Sequence, residues 1–299
     1  MDTANDISEF LGSRRARITP EQAGLPSYGK RRVPGLRREE VASLAGVSVE
    51  YYKRLERGNL SGVSDLVLEA LATALQLDDA ERAHLFDLAR AAGPAGAVST
   101  RGRRVGGATS KVRPTIRRVL DQLVTPAIVR NARGDYIAAN QLGRALYAPL
   151  FDSREQPANS ARFAFLDRAA TDFYRDWDRV ATDLVAHLRS TAGRNPYDRD
   201  LSDLVGELST RSDLFRTLWA AHNVRFHRTG SKRLHHPVVG DLDLDYESMD
   251  LAADPGLTLN VYTAAAGSTS QQALDLLASW TTTLAREDEA VALPETRRP

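Results

Sequence analysis

A row of long charged side chains falls on one face of a predicted helix that spans residues 48–57. Glu50, Lys53, Arg54 and Arg57 follow each other at i, i+3, i+4 and i+7, and this spacing places them on the same side of an α-helix. Arginine can bind guanine O6 and N7 in bidentate fashion, and glutamate can accept a hydrogen bond from the amino group of cytosine. The pattern therefore suits the major groove of DNA. The alternative that the residues leave open is a solvated helix surface with weak Glu50–Lys53 and Glu50–Arg54 pairs.

A short helix and a tight turn precede this face. Residues 37–45 have the spacing of a helix with one apolar side, and Gly46 ends it. Ser48 is a favourable N-cap for the following helix. Two helices around a glycine-centred turn have the spacing of a helix-turn-helix motif. The first amides of the second helix, with Ser48, are placed to hold a phosphate.

Three further helices complete an all-α, five-helix domain, which we place at residues 1–92. Apolar spacing predicts a first helix over residues 6–17, a fourth that Ser64 caps, and a fifth that begins near Asp79. Residues 93–110 are rich in Gly, Ser and Arg and are interpreted as a linker.

The composition fits a two-domain protein with an uneven charge distribution. The chain has 299 residues with a net charge of +1, yet residues 1–60 carry +3 and residues 99–120 carry +7. Basic segments favour nucleic-acid contact, although a pair of solvated basic loops would give the same charge pattern. The chain has no cysteine, which excludes disulfides, iron–sulfur clusters and thiol nucleophiles. No apolar run approaches the ~20 residues of a membrane span, so we expect a cytoplasmic protein without membrane contact.

A second domain is predicted over residues 111–288, followed by a tail at 289–299. It begins with a helix over about 112–124, and two short strands flank an Arg-Gly-Asp turn at 133–135. Several helices follow between about 140 and 226, and three more strands and a helix come after them. The strands would form one antiparallel sheet with helices to one side, an α+β domain.

Residues 36–58, LRREEVASLAGVSVEYYKRLERG, resemble the helix-turn-helix of XRE-type bacterial and phage repressors. The loop within GLPSYGKRRVPGLRREEVA and the segment YYKRLERG are similar to the MmyB-like subfamily, which is common in actinobacteria. The second domain resembles that subfamily's MltR-type ligand-binding domain, a PAS-like fold. The stretches that carry this second resemblance are RNARGDYIAANQLGRALY, ARFAFLD, LVGELSTRSDLFRTLWAAHNVR, HPVVGDLDLDYE and DPGLTLNVYTAAAGS.

The resemblance implies roles for individual residues of the helix-turn-helix. It assigns the reading of bases to Val49, Glu50, Tyr51, Lys53 and Arg54. It assigns phosphate contact to Ser48, Arg57 and Arg38, with Lys30, Arg31 and Arg32 of the preceding loop reaching neighbouring backbone. It also implies a buried pair between Glu56 and either Arg14 or Arg15, which would serve the fold.

Polar residues in aromatic surroundings are the candidates for a ligand site in the second domain. His222 and Arg225 would anchor a carboxylate, and Trp177, Trp219 and Tyr262 would wall an apolar cavity. Asn140 would either point into that cavity or cap the next helix. Aromatic residues at helical spacing are also common in protein cores, and that interpretation stays open.

These observations predict a DNA-binding transcription regulator, and we expect a repressor. It would bind a two-fold operator in double-stranded DNA as a homodimer, and the resemblance suggests control by a small apolar ligand such as a fatty acid. The alternative is a second domain that only dimerises or docks a partner protein. We predict no enzyme activity, no metal site and no cofactor, because the motifs H-E-x-x-H, G-x-S-x-G and G-x-x-x-x-G-K-[ST] are absent.

Overall fold

The computed structural model describes residues 3–26, 33, 35–93, 111–221 and 229–292, with the side chains of 282 and 284–292 excepted. Most of the predicted linker at 93–110, the loop cations Lys30, Arg31 and Arg32, and the end of the predicted tail lie outside the described residues.

Five helices form the N-terminal region, as predicted. They are α1 (Thr3–Arg17), α2 (Arg38–Leu44), α3 (Val49–Glu56), α4 (Asp65–Ala74) and α5 (Asp79–Ala92). Side-chain oxygens cap three of them, because Ser48, Ser64 and Asp78 accept hydrogen bonds from the third amide of α3, α4 and α5. Their apolar faces meet in one core, in which Phe10 and Leu71 are fully buried.

The following region is an α+β domain. Its elements in chain order are α6 (Pro114–Gln122), β1 (Ala127–Asn131), β2 (Tyr136–Ala139), α7 (Gln141–Leu146), α8 (Ala148–Phe151), α9 (Ser160–Leu166), α10 (Ala169–Phe173), α11 (Trp177–Arg194), α12 (Arg199–Arg211), α13 (Asp213–Ala220), β3 (Thr229–His236), β4 (Gly240–Asp250), β5 (Leu257–Thr263) and α14 (Thr269–Ala292). The strands form one five-stranded antiparallel sheet in the order β2-β1-β5-β4-β3. The predicted Arg-Gly-Asp turn joins β1 to β2, and Gly134 supplies the positive φ of 85° that this tight turn needs.

Both faces of the sheet are covered, so the expectation of helices to one side was wrong. Ile128, Leu244 and Tyr262 belong to a core with residues of α7 to α11 and α14, and we call this side the inner face. Val129 and Leu257 point to the opposite side, where α6 covers them. Neighbouring strand residues alternate between faces, so both cores draw on the same strands. Local periodicity did not reveal which side the first helix of the domain would take.

The chain divides into two compact units whose limits differ from the domains that the sequence suggested. Of the described residues, 3–93 and 185–221 form the first unit, and 111–184 and 229–292 form the second. Within the first unit, Arg189 of α11 lies 3.6 Å from Asp6 of α1 (Nη1 to Oδ1). These contacts join helices that are distant in sequence, so the segment at 185–221 packs with the N-terminal bundle although we predicted it in the second domain.

Neither a membrane-spanning helix nor a metal-binding cluster is found in the part of the chain that the structure describes. None of its helices is long and apolar enough to cross a membrane. Its His, Asp and Glu side chains form no group of three or more that would hold a metal ion.

Candidate DNA-binding surface and ligand-binding face

The helix-turn-helix forms as the sequence predicts. α2 ends at Leu44 with Ala45 as its C-cap, Gly46 turns the chain with a φ of 64°, and Ser48 is the N-cap of α3. The Oγ atom of Ser48 accepts a hydrogen bond from the amide of Tyr51 at 3.1 Å. The cap thus fixes the direction in which α3 leaves the turn.

The outer side of α3 presents the charged row. The side chain of Glu50 is 80% exposed, and its Oε1 atom lies 2.7 Å from Nζ of Lys53. The hydrogen bond from Lys53, and then its charge, lower the pKa of Glu50, so this side chain is a carboxylate acceptor at neutral pH. Arg54 is exposed and its guanidinium carbon lies 4.8 Å from the ring centre of Tyr51. Exposed Arg57 completes the row. The Glu50–Lys53 pair, which the alternative interpretation of this row as a solvated helix surface expects, is therefore present.

The inner side of α3 is fixed by apolar packing and a buried carboxylate. Tyr52 and Leu55 are fully buried. Glu56 is 4% exposed, and Arg15 of α1 contacts its Oε1 atom at 2.8 Å. Arg38 of α2 binds the other oxygen of Glu56. One carboxylate therefore ties α1, α2 and α3 together and holds the charged row in a fixed orientation.

The structure confirms the predicted buried pair of Glu56 and adds a second arginine to it. Of the two partners considered for Glu56, the structure uses Arg15, while Arg14 pairs with Glu81 of α5 at 2.9 Å. Arg38, to which the family resemblance assigns phosphate contact, donates to Glu56. The hydrogen bond and charge of Glu56 raise the pKa of Arg38. Arg38 therefore has a structural partner within the protein.

The predicted ligand residues are split between the two units. Trp219 of α13 belongs to the first unit, where its ring stacks on Phe215 with centroids 5.7 Å apart and lies 4.0 Å from the guanidinium of Arg189. His222 and Arg225 lie outside the described residues. Trp177 and Tyr262 belong to the second unit.

Asn140 is a structural residue. Its Oδ1 atom accepts from the amides of Gly143 at 2.7 Å and Ala127 at 3.0 Å. Its Nδ2 atom donates to the carbonyls of Leu123 at 3.0 Å and Thr125 at 2.8 Å. The assignment of Asn140 to a ligand was therefore wrong, since these bonds occupy its amide; it caps α7, which was the other possibility.

An aromatic cluster lies on the inner face around Tyr262. The hydroxyl of Tyr147 donates to that of Tyr262 at 3.1 Å, and Tyr246 lies beside Tyr262 with ring centroids 6.2 Å apart. Burial raises the pKa of all three tyrosines, so they stay neutral. Trp177 contributes to the same core, and its Nε1 atom donates to the carbonyl of Ala164 at 2.9 Å.

Three polar residues on this face were missed at the sequence level. Arg130 is two residues from Ile128 on β1, Asn260 is two residues from Tyr262 on β5, and Lys232 is two residues from Leu234 on β3. Alternation alone would have placed all three on the apolar side of their strands.

Comparison with protein families agrees with this architecture. The profile described as "MmyB-like transcription regulator ligand binding domain" matches residues 112–277, more than half of the chain. A helix-turn-helix domain profile matches residues 7–85. No curated protein matches the chain significantly. The chain therefore belongs to the MmyB-like transcription regulators, in which a helix-turn-helix domain is followed by a ligand-binding domain.

Proposed function

We propose that the chain represses transcription by binding a two-fold operator as a homodimer, under the control of a small, largely apolar ligand. The observation that carries the DNA-binding part is the exposed row on α3, held in place by the buried carboxylate of Glu56. The chain would act in the cytoplasm, where bacterial DNA is found.

The base-reading role falls to the exposed part of α3. Glu50 is held as a carboxylate by Lys53, which suits acceptance from cytosine N4. Arg54 is stacked on Tyr51 and exposed, so its planar donor group is available to guanine. Val49 and Lys53 flank these two side chains on the same helix. In the complex, Lys53 would either stay with Glu50 or turn to a phosphate.

Backbone contact would come from the edges of the motif. Ser48 lies at the N-terminus of α3, where the helix dipole favours a phosphate, and Arg57 lies at its other end. Lys30, Arg31 and Arg32 remain candidates through their charge alone. Arg38 is bound to Glu56, but its side chain is still 54% exposed. It would therefore contact a phosphate without leaving Glu56.

The proposed two-fold symmetry is supported by the general geometry of helix-turn-helix dimers. Helix-turn-helix proteins that bind as dimers place paired recognition helices about 34 Å apart, one turn of DNA. Ligand in the second domain would change the DNA affinity by binding one arrangement of the dimer more tightly than another. A second domain that only dimerises or docks a protein would instead leave DNA affinity unchanged by any small molecule.

Replacement of Arg54 tests the groove assignment. Arg54→Ala should weaken binding to a duplex selected by the wild-type protein by about 5- to 150-fold, because a bidentate base contact contributes ~1–3 kcal/mol. Binding to random duplexes should change much less, since phosphate contacts dominate there. Fluorescence anisotropy at fixed salt measures both.

Arg90→Ala is the matched control for this test. It removes the same charge from the surface of α5, where Arg90 pairs only with Asp87 in the described part of the chain. The assignment fails if Arg54→Ala leaves both affinities unchanged, or if Arg90→Ala has the same effect on the selected duplex.

A further inference from the structure

The side of the sheet opposite the inner face, which we call the outer face, is covered over only part of its width. α6 packs on it through Leu120, and the core there includes Val129 of β1 and Leu257 of β5. Among the described residues, this core contains none from β4 or β3, the last two strands in the order β2-β1-β5-β4-β3. The outer side of β4 and β3 is therefore bare, and we call it the open half.

An acidic row runs along the open half on β4. Asp241, Asp243, Asp245 and Glu247 are exposed and alternate with inward residues such as buried Leu244. Because successive side chains of a strand point to opposite faces, all four carboxylates lie on the outer face.

Two carboxylates of this row have no partner in the described part of the chain. Arg175 lies 3.3 Å from Asp241 and 3.5 Å from Asp243, measured from its Nη1 atom to the carboxylate oxygens. The side chains of Asp245 and Glu247 make no hydrogen bond or ion pair with any described residue. They are about 7 Å apart along the strand, and their like charges favour a cationic partner.

The outward side of α6 has the complementary charge. Arg118 is two residues from both Ile116 and Leu120, which pack on the sheet, so it points about 160–200° away from them. Its exposed side chain makes no hydrogen bond or ion pair among the described residues. Residues 111–124 carry a net charge of +3, whereas residues 240–250 carry −5.

Apolar side chains are exposed at the border between α6 and the open half. Val119 of α6 is 44% exposed and Met249 of β4 is 43% exposed. Arg117 donates to the carbonyl of Ala139 on β2 at 3.3 Å, so that flank of α6 faces β2. Val119 is about 200° around the helix from Arg117 and therefore lies on the flank towards β5 and β4. Such side chains suit the apolar centre of an interface.

We propose that a second copy of this chain covers the open half, with α6 of each copy lying on β4 of its partner. A two-fold axis beside Val119 brings Arg118 of one copy to the partner's Asp245 and Glu247, and the same contact forms twice. The two α6 helices lie side by side in one layer between the two sheets. A basic helix and an acidic strand on the same side of one domain make this surface self-complementary. The inference rests on the proposed homodimer and names its interface.

Sedimentation velocity of the full chain over a range of concentrations tests this interface. The wild type should form a dimer. Arg118→Glu should raise the dissociation constant of the dimer at least about tenfold, because two attractive contacts with Asp245 and Glu247 become repulsive. Glu247→Arg should do the same by placing a cation against Arg118. Arg168→Glu, an exposed change at the start of α10 on the inner side of the sheet, should leave the dimer unchanged.

An equimolar mixture of Arg118→Glu and Glu247→Arg separates a lost contact from a lost fold. In the mixed dimer, both contacts again join opposite charges, so the mixture should dimerise about as tightly as the wild type. A mixture that stays monomeric, or an equal loss of dimer in Arg168→Glu, would overturn the proposal.

Failure of this interface is distinguishable from failure of the proposed function. A wild-type dimer that both charge reversals leave intact would contradict this interface and keep the two-fold operator. A monomeric wild type would contradict both the interface and the proposed homodimer, whereas base reading by Arg54 is tested separately with selected and random duplexes.

Discussion

Lys232 is a cation held among apolar and positive groups, and this should be visible in protein stability. Burial, followed by the charge of Arg130 and to a lesser extent Arg179, lowers its pKa to about 8 against an opposing effect of Asp183. The unfolded chain keeps the ordinary lysine value, so between pH 8 and about 10.5 it binds more protons than the folded chain. The contribution of Lys232 to the free energy of unfolding is therefore lowest below pH 8. It rises above pH 8, as the lysine loses its proton in the folded state.

We predict that the free energy of unfolding of the wild type, relative to Lys232→Met, rises by about 1–3 kcal/mol between pH 8 and 10.5. Urea unfolding at a series of pH values measures this difference. Lys111→Met, which removes an exposed lysine, supplies the background from all other groups. A difference that stays flat over this range would show that Lys232 is not held in the surroundings described.

At the scale of single residues, the sequence predicted the exposed face of α3 but not all of the contacts that hold α3 in place. The spacing of Glu50 and Arg54 is a local property, and the helix forms as expected. The partners of Glu56 depend on how three helices pack, which spacing along one helix does not reveal. Arg130 and Asn260 were missed for a similar reason: β1 and β5 are distant in sequence, and only their register brings these two residues near each other.

At the scale of elements, Asn140 joins a strand, a helix and the segment before them. Its side chain accepts from two amides and donates to two carbonyls, and it is 4% exposed. We predict that Asn140→Ala lowers the free energy of unfolding by about 2–4 kcal/mol, because several buried backbone groups lose their partner. Asn140→Asp keeps an acceptor for the two amides but places an oxygen opposite the carbonyls of Leu123 and Thr125, so it should also destabilise the protein.

Chemical denaturation of these variants measures the effect, with exposed Asn59→Ala as a control that should change stability little. A wild-type stability for Asn140→Ala would show that the side chain does not connect these elements.

The elements themselves were largely predictable, whereas their assembly was not. Apolar periodicity and capping residues gave the five N-terminal helices, the first hairpin and the late strands. The side of the sheet that α6 covers, and the packing of residues 185–221 with the N-terminal bundle, depend on contacts between distant segments. These features carry no short-range signal.

At the scale of the whole molecule, α11 has residues in both compact units. Asp183, which influences Lys232, and Arg189, which contacts Asp6 and Trp219, lie within two turns of this helix. The two halves of α11 therefore have their neighbours in different units.

Selection of duplexes from a random library by the full chain, followed by sequencing, tests the central claim most directly. We predict enrichment of an inverted repeat whose half-site centres are roughly 10 base pairs, or a multiple of one helical turn, apart. Within each half-site, a guanine should be required by the wild type and become dispensable for Arg54→Ala. Enrichment of no sequence over the starting library would contradict the account.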